Sequence, residues 1–141
     1  MQIRTAQGKD NQAIISLLKE LDLYYSAIKI KDFWVAEENK QIIGAAQLLD
    51  CGEFLFLSSV GVDQKHQKHG VAKKLLNKLL TKQDKEIYLY TIIPDFFRRF
   101  GFEITTTLPQ NLPSKDRYEC ADCYPERCVT MVGLKGIRAP R

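Results

Sequence analysis

A chain of 141 residues, 45% hydrophobic and 27% charged, has the size and composition of one globular domain with a real core. Its net charge of +4 is too mild to point to nucleic acid, and no apolar run reaches the roughly 18 residues that cross a bilayer, which leaves no expected membrane role. The N-terminus has no signal-like apolar core, so the expected compartment is the cytoplasm, where Cys51, Cys120, Cys123 and Cys128 are expected as thiols or metal ligands.

Gln2 to Ala6 is a short candidate first strand. Asp10 stands where an N-cap belongs, ahead of Ala13, Ile14, Leu17, Leu18 and Leu21, which share one helical face. From Asp22 to Lys31 the pattern is weak, and Tyr24, Tyr25, Ile28 and Ile30 suit either a short second helix or a substrate-facing loop. Phe33 to Glu37 is rich in strand formers, Glu38 to Lys40 reads as a turn, and Gln41 to Leu49 returns as a strand. A second turn, Asp50 to Gly52, leads into the long apolar strand Glu53 to Val62. Three strands joined by tight turns predict an antiparallel meander.

After a basic loop, Val71, Ala72, Leu75, Leu76, Leu79 and Leu80 keep helical period. Glu86 to Ile92 is the fifth strand, and a helical connection makes it parallel to the strand before the loop. Pro94 opens a short helix, closed by Gly101 in the position of a left-handed C-terminal residue. Phe102 to Thr105 is a sixth strand, Pro109 and Pro113 mark a loop, and Val129 to Leu134 is a last strand. The chain is therefore expected to be one domain over 1–141, with 135–141 a frayed basic tail.

The stretch that organises the chain is the loop Val62 to Ala72, set between a buried strand and a helix. Such a loop aims the unpaired N–H groups of a helix N-terminus at one spot in front of the sheet. That spot favours phosphate, and Gly70, lacking a Cβ, lets a ligand approach the backbone. The loop fits neither the Walker nor the dinucleotide-binding glycine pattern. Gln67-x-x-Gly70-x-Ala72 does resemble the [QR]-x-x-G-x-[GA] loop of the GNAT acetyltransferases. Phe96-Phe97-Arg98-Arg99-Phe100-Gly101-Phe102 resembles that family's F-Y-x-x-x-G-F block, in the right order and spacing.

The element order β-α-β-β-β-loop-α-β-α-β-β is similar to the GNAT fold over nearly the whole chain. The resemblance implies an α+β fold, an α/β sandwich with a mixed sheet of six to seven strands and about four helices, splayed between strands four and five. Leu89-Tyr90-Thr91, Phe96-Phe97 and Gly101-Phe102 further resemble a subgroup that holds the N-acetylglutamate-synthase-type and arsenic-resistance-associated acetyltransferases. Trp34 to Glu37, Ser58 to Asp63 and the tract from Leu112-Pro113 to Cys123-Tyr124-Pro125 share that looser likeness, which implies an amino-acid-like acceptor. The implied activity is an acetyl-CoA-dependent N-acetyltransferase acting on a small-molecule amine by direct attack in a ternary complex. A homodimer is compatible with the sequence, which leaves the oligomeric state open.

Acetyl transfer needs a held cofactor, a deprotonated nucleophile and a stabilised oxyanion. The resemblance implies cofactor contacts from the backbone of Val60, Gly61 and Val62 along the pantetheine arm. The loop amides of Gln67, Lys68, His69, Gly70, Val71 and Ala72 would hold the pyrophosphate. Lys68, Lys73 and Lys74 either add charge near the phosphates or form a solvated helix face. Phe97 is placed at the cofactor by its position in the second block, and it stands where the family commonly has a tyrosine acid. A phenyl ring cannot protonate a thiolate, so Tyr90, Thr91 or Tyr118 would serve, or the thiolate leaves unassisted.

Glu53 is the candidate base, with a solvent-exposed turn residue as its alternative and a water chain as the alternative route. Cys120-x-x-Cys123-x-x-x-x-Cys128 could bind zinc, form a disulfide or sit as small buried side chains; no fourth ligand is evident locally, so metal is not favoured. Two rival readings stand beside the enzyme: a GNAT-fold module that binds acetyl-CoA without turnover, kept open by Phe97, and a zinc-stapled interaction domain.

Overall fold

The computed structural model describes residues 1–118 and 127–133. Seven strands form one mixed sheet in the order β1-β2-β3-β4-β5-β7-β6. They are β1 (Gln2–Thr5), β2 (Phe33–Glu38), β3 (Gln41–Asp50), β4 (Phe54–Val62), β5 (Glu86–Thr91), β6 (Phe102–Ile104) and β7 (Val129–Gly133). The helices are α1 (Asn11–Glu20), α2 (Val71–Thr81) and α3 (Pro94–Arg98). None among the described residues is long and apolar enough to cross a membrane. About four helices are expected from sequence; the segment after α1 forms only a 3₁₀ turn, Ile30–Asp32, so the region of Tyr24 and Tyr25 is a loop lying on the sheet.

The expected meander is present: β2, β3 and β4 pair antiparallel in succession. The β2–β3 turn is tighter than its residues suggest, because Asn39 (φ 50°) and Lys40 (φ 64°) are both left-handed, the geometry of a two-residue hairpin whose twist matches the strands. The chain then crosses through α2, and β5 lies parallel to β4. This crossover puts α2 on one face of the sheet and leaves α1 on the other.

Each helix is held by the stripe that its sequence spacing presents. Ile14, Leu17 and Leu18 of α1 bury against Phe33, Val35 and Ala45. Leu75, Leu76, Leu79 and Leu80 of α2 bury against Leu55, Leu57, Ile87, Leu89 and Met131 on the opposite face, where Phe97, Phe100 and Phe102 join them. Full burial of one such leucine contributes about 1.5–3 kcal/mol, so these stripes fix both layers.

Asp10 does not cap α1 through its side chain. Its carboxylate turns back, accepting from the Arg4 guanidinium at 2.7 and 3.0 Å and from the Gln7 amide at 2.7 Å. Arg4 also donates to Glu37 at 3.2 Å, so β1, β2 and the entry to α1 share one ion network. The hydrogen bond from Arg4 holds the Asp10 carboxyl below its ordinary value of 3.8. A depressed carboxyl stabilises the fold above the ordinary range and loses that contribution as pH falls through its folded value. Asp10→Asn should therefore lower stability by about 1–3 kcal/mol near neutral pH, and the difference from the parent should shrink in denaturant titrations below about pH 4.

Candidate active site

The β4–β5 ladder is short. It pairs Phe54 with Glu86, Leu55 with Ile87 and Phe56 with Tyr88, and then the strands part. Beyond that point β4 keeps β3 on its other side as far as Val62, and β5 keeps β7 as far as Thr91. One edge of β4 from Leu57 to Val62 is thus open to the cleft, and backbone groups there need partners. An extended ligand with amide groups can supply them by lying along the strand. Ser59, at φ 54°, and a register shift opposite Ala45 to Gln47 bulge β4 within this stretch.

β4 ends at the mouth of the cleft. Asp63 accepts from the Lys65 amide at 2.7 Å and starts a 3₁₀ turn, Gln64–His66. His66 sits 3.5 Å from Asp63 and 3.7 Å from Glu38 of β2. The Gln67 side chain donates to the Val62 carbonyl at 2.9 Å, so it straps the loop to the strand, and what remains of Gln67 for a ligand is backbone. Lys68 (φ 67°) and Gly70 (φ 79°) are left-handed, and Gly70 is the residue before α2, with no side chain capping the helix. Among the described residues, nothing lies within 4 Å of where a Gly70 Cβ would stand. The open side of Gly70 and the first amides of α2 therefore form an uncapped, electropositive cradle. Lys68, His69 and Lys73 are exposed around it, Val71 is buried beneath it, and Ala72 is half-buried.

Gly61 has a different reason to be glycine. A Cβ there would stand 2.6 Å from Cδ1 of Leu21 and 2.8 Å from Cδ1 of Leu23. The end of α1 and the start of its following loop therefore lie directly on the bulged part of β4, on the α1 face of the cleft. Val60 and Val62 point to the other face, among the α2-side residues.

Along the α1 face, beside the place where the strands part, lies a layer of aromatic and hydroxyl side chains from five segments. Tyr118 stacks on Phe56 with centroids 5.8 Å apart and meets Tyr25 edge-on at 5.0 Å. Tyr90 meets Phe56 edge-on at 4.9 Å. The Tyr25 hydroxyl donates to Oε1 of Gln47, and the Ser58 hydroxyl donates to the same oxygen at 3.1 Å. Only Tyr25, Tyr90 and Tyr118 of this group have a sequence signal, as aromatic or hydroxyl residues near strands. Gln47 and Ser58 have none, because the β3–β4 register alone brings them face to face.

The residues proposed for chemistry fall into separate places. Tyr90 is at the cleft, and burial, followed by the charge of Cys128, pushes its phenol up, so it stays protonated at neutral pH. Its hydroxyl donates to the Pro113 carbonyl, and the Lys115 ammonium lies 5.2 Å from its ring centroid. Thr91 is buried, and its hydroxyl accepts from the Ile93 amide at 2.9 Å, closing the turn into α3. Phe97 is a core residue, edge-on to Phe96 at 5.0 Å and to Phe102 at 6.0 Å. Glu53 is exposed, in the turn before the paired end of β4; three residues lie between it and Leu57, about 13 Å along the strand. The structure does not bring Glu53 to the open part of the cleft. Cys120 and Cys123 lie outside the described residues, as does 135–141; Cys128 is half-buried, and no group of three metal-ligating side chains occurs among the described residues.

A sheet parted after three pairs, followed by an uncapped helix start, defines a class of acyl-transferring enzyme. Residues 29–104 match the acetyltransferase (GNAT) domain, and the chain belongs to the GNAT acetyltransferase family. The uncharacterized protein YwlB of Bacillus subtilis is 28% identical over 145 residues, covering 96% of this chain and 98% of that protein. Rv2747 from Mycobacterium tuberculosis, solved in complex with CoA and NLQ, superposes with a TM-score of 0.72 at 20% identity, over 95% of this chain and 99% of that one. N-acetylglutamate synthase from Neisseria gonorrhoeae, solved with coenzyme A and N-acetyl-glutamate, gives a TM-score of 0.70 at 17% identity. It covers 99% of this chain, which spans only 35% of the synthase. At such identities the structural likeness speaks to the fold.

Two substitutions follow from these placements. Glu53→Gln should leave turnover within about threefold of the parent, where removal of a true general base costs about a hundredfold or more. Tyr90→Phe leaves the Pro113 carbonyl without its donor and should lower stability by about 1 kcal/mol, read from the denaturation midpoint.

Proposed function

We propose that this chain is an acetyl-CoA-dependent N-acetyltransferase that passes the acetyl group directly to the amine of a small amino-acid-like acceptor. The observation that carries the reading is the open edge of β4 running straight into a left-handed, uncapped helix start. The edge suits the amide-bearing pantetheine arm, and the cradle suits the pyrophosphate. The thioester then lies where the strands part, beside the hydroxyl and aromatic layer on the α1 face. There the amine nitrogen attacks the thioester carbonyl carbon, the C–S bond breaks, and the nitrogen gives up its proton as the thiol is released. The relatives solved with CoA and with N-acetyl-glutamate support the cofactor and an amino-acid-like acceptor.

A binding-only module is favoured by one specific observation: Glu53, Thr91 and Phe97 are all turned to structural use or away from the cleft. Thiol release from acetyl-CoA across a panel of amino acids separates the two readings, since a binding module releases none.

Gly70 tests the cofactor site itself. The Cβ of a valine there meets no described atom, yet the residue must adopt φ near +79° and carries its methyl groups at the cradle. Gly70→Val should weaken coenzyme A binding at least about tenfold, near 1.4 kcal/mol, in calorimetric titration of a protein that remains folded. Unchanged affinity would remove the loop as the cofactor site.

A further inference from the structure

Gln47 is a fully buried amide side chain in the layer beside the cleft, and only half of it is satisfied. Its oxygen accepts from two hydroxyls, Tyr25 and Ser58, while its Nε2 is buried with no hydrogen-bond partner. An unpaired buried donor of this kind is costly and calls for a partner. Both hydroxyls meet the amide oxygen, and the N–H groups are the ones left over. The chain therefore holds an oriented donor, in a dry setting, next to where β4 and β5 part.

Among the described side chains, Lys115 brings a positive charge to this layer. Lys115 lies over the Tyr90 ring and donates at 3.5 Å to the Cys128 carbonyl, and it forms no ion pair among the described residues. A buried neutral donor together with an unneutralised ammonium suits a ligand bearing an oxygen anion. It is the wrong environment for a polyamine, which would bring a second positive charge beside Lys115 and offer Gln47 no acceptor.

We propose that Gln47 is a specificity-determining residue, whose Nε2 donates to the carboxylate oxygen of an amino-acid acceptor. The proposal rests on the acetyltransferase reading above and adds to it which side chain selects the acceptor. Tyr25 and Ser58 are positioning residues in this arrangement: they touch the Gln47 oxygen and aim its nitrogen. The amide is closed off in the unliganded protein, so the rings beside it must give way when the acceptor enters. Tyr118, on the 3₁₀ turn Lys115–Tyr118, is one of these rings and contacts both Tyr25 and Phe56.

The experiment measures thiol release from acetyl-CoA by the full chain with the twenty L-amino acids, their carboxamides, and putrescine and spermidine. The parent, Gln47→Glu and Gln47→Met are compared. Gln47→Glu keeps an oxygen for Tyr25 and Ser58 but replaces the donor; Gln47→Met fills the space without hydrogen bonds and guards against a misfolded glutamate variant. Folding is checked by the thermal midpoint and by coenzyme A titration, which should be unchanged.

The parent should favour amino acids over their carboxamides and over the polyamines. Both variants should raise the KM for the best amino acid at least about tenfold, with the KM for acetyl-CoA unaltered. Tyr25→Phe should raise the same KM to a smaller degree. If the parent acetylates amino acids and the variants keep its acceptor KM, Gln47 is a water-satisfied structural residue and the proposal falls while the enzyme reading stands. A parent that prefers polyamines overturns the proposal in the same way. No thiol release with any acceptor overturns the enzyme reading, and the proposal with it.

Discussion

The structure depends on a ladder that stops. β4 and β5 share three residue pairs and then separate, each still held by its outer neighbour, β3 on one side and β7 on the other. Because the outer pairings persist, the separation costs only the hydrogen bonds of the inner edge, and those groups remain available to a ligand instead of being lost. Everything else in the molecule can be understood as keeping this gap open and furnished. The α2 leucines grip the sheet from one face, the aromatic layer fills the other, and the loop at the end of β4 places a helix start at the mouth.

The two faces of the gap are furnished by different chemistry. At the mouth the features are main-chain: left-handed Lys68 and Gly70, uncapped amides, and a glutamine side chain spent on strapping the loop to its own strand. On the α1 face the features are side chains contributed by segments far apart in sequence, joined through the shared Gln47 oxygen and the stacked rings. This division ties the mouth to loop geometry and the α1 face to the identity of single side chains.

It also explains what could be read from the chain. The strands, the meander, the parallel fifth strand and the helix after the loop are legible because each depends on local periodicity and turn residues, and the boundaries of α2, Val71–Thr81, follow its apolar stripe closely. The loop is legible because its geometry needs glycine at one position. Asp10 misleads as a cap, since Arg4 on β1 competes for its carboxylate, a contact that local sequence does not reveal. Glu53 falls at the paired end of β4, and position in a strand says nothing about which end of the strand opens. Gln47, Ser58 and Tyr118 are invisible as a group, for they meet only through the β3–β4 register and the return of the chain from β6 to β7.

Gly61 carries a further consequence, for how this fold can drift. With Leu21 and Leu23 where they are, position 61 has no room for a methyl group, whatever ligand lies along β4. The clashing atoms are the tips of two flexible side chains, not backbone, so the constraint is one of shared volume. An alanine at 61 asks the Leu21 and Leu23 tips to turn aside, and a larger residue there would press on the end of α1. Residues forty positions apart thus share one volume, and the roof over the cleft can be raised or lowered by exchanging a few carbon atoms between a strand and the loop that crosses it.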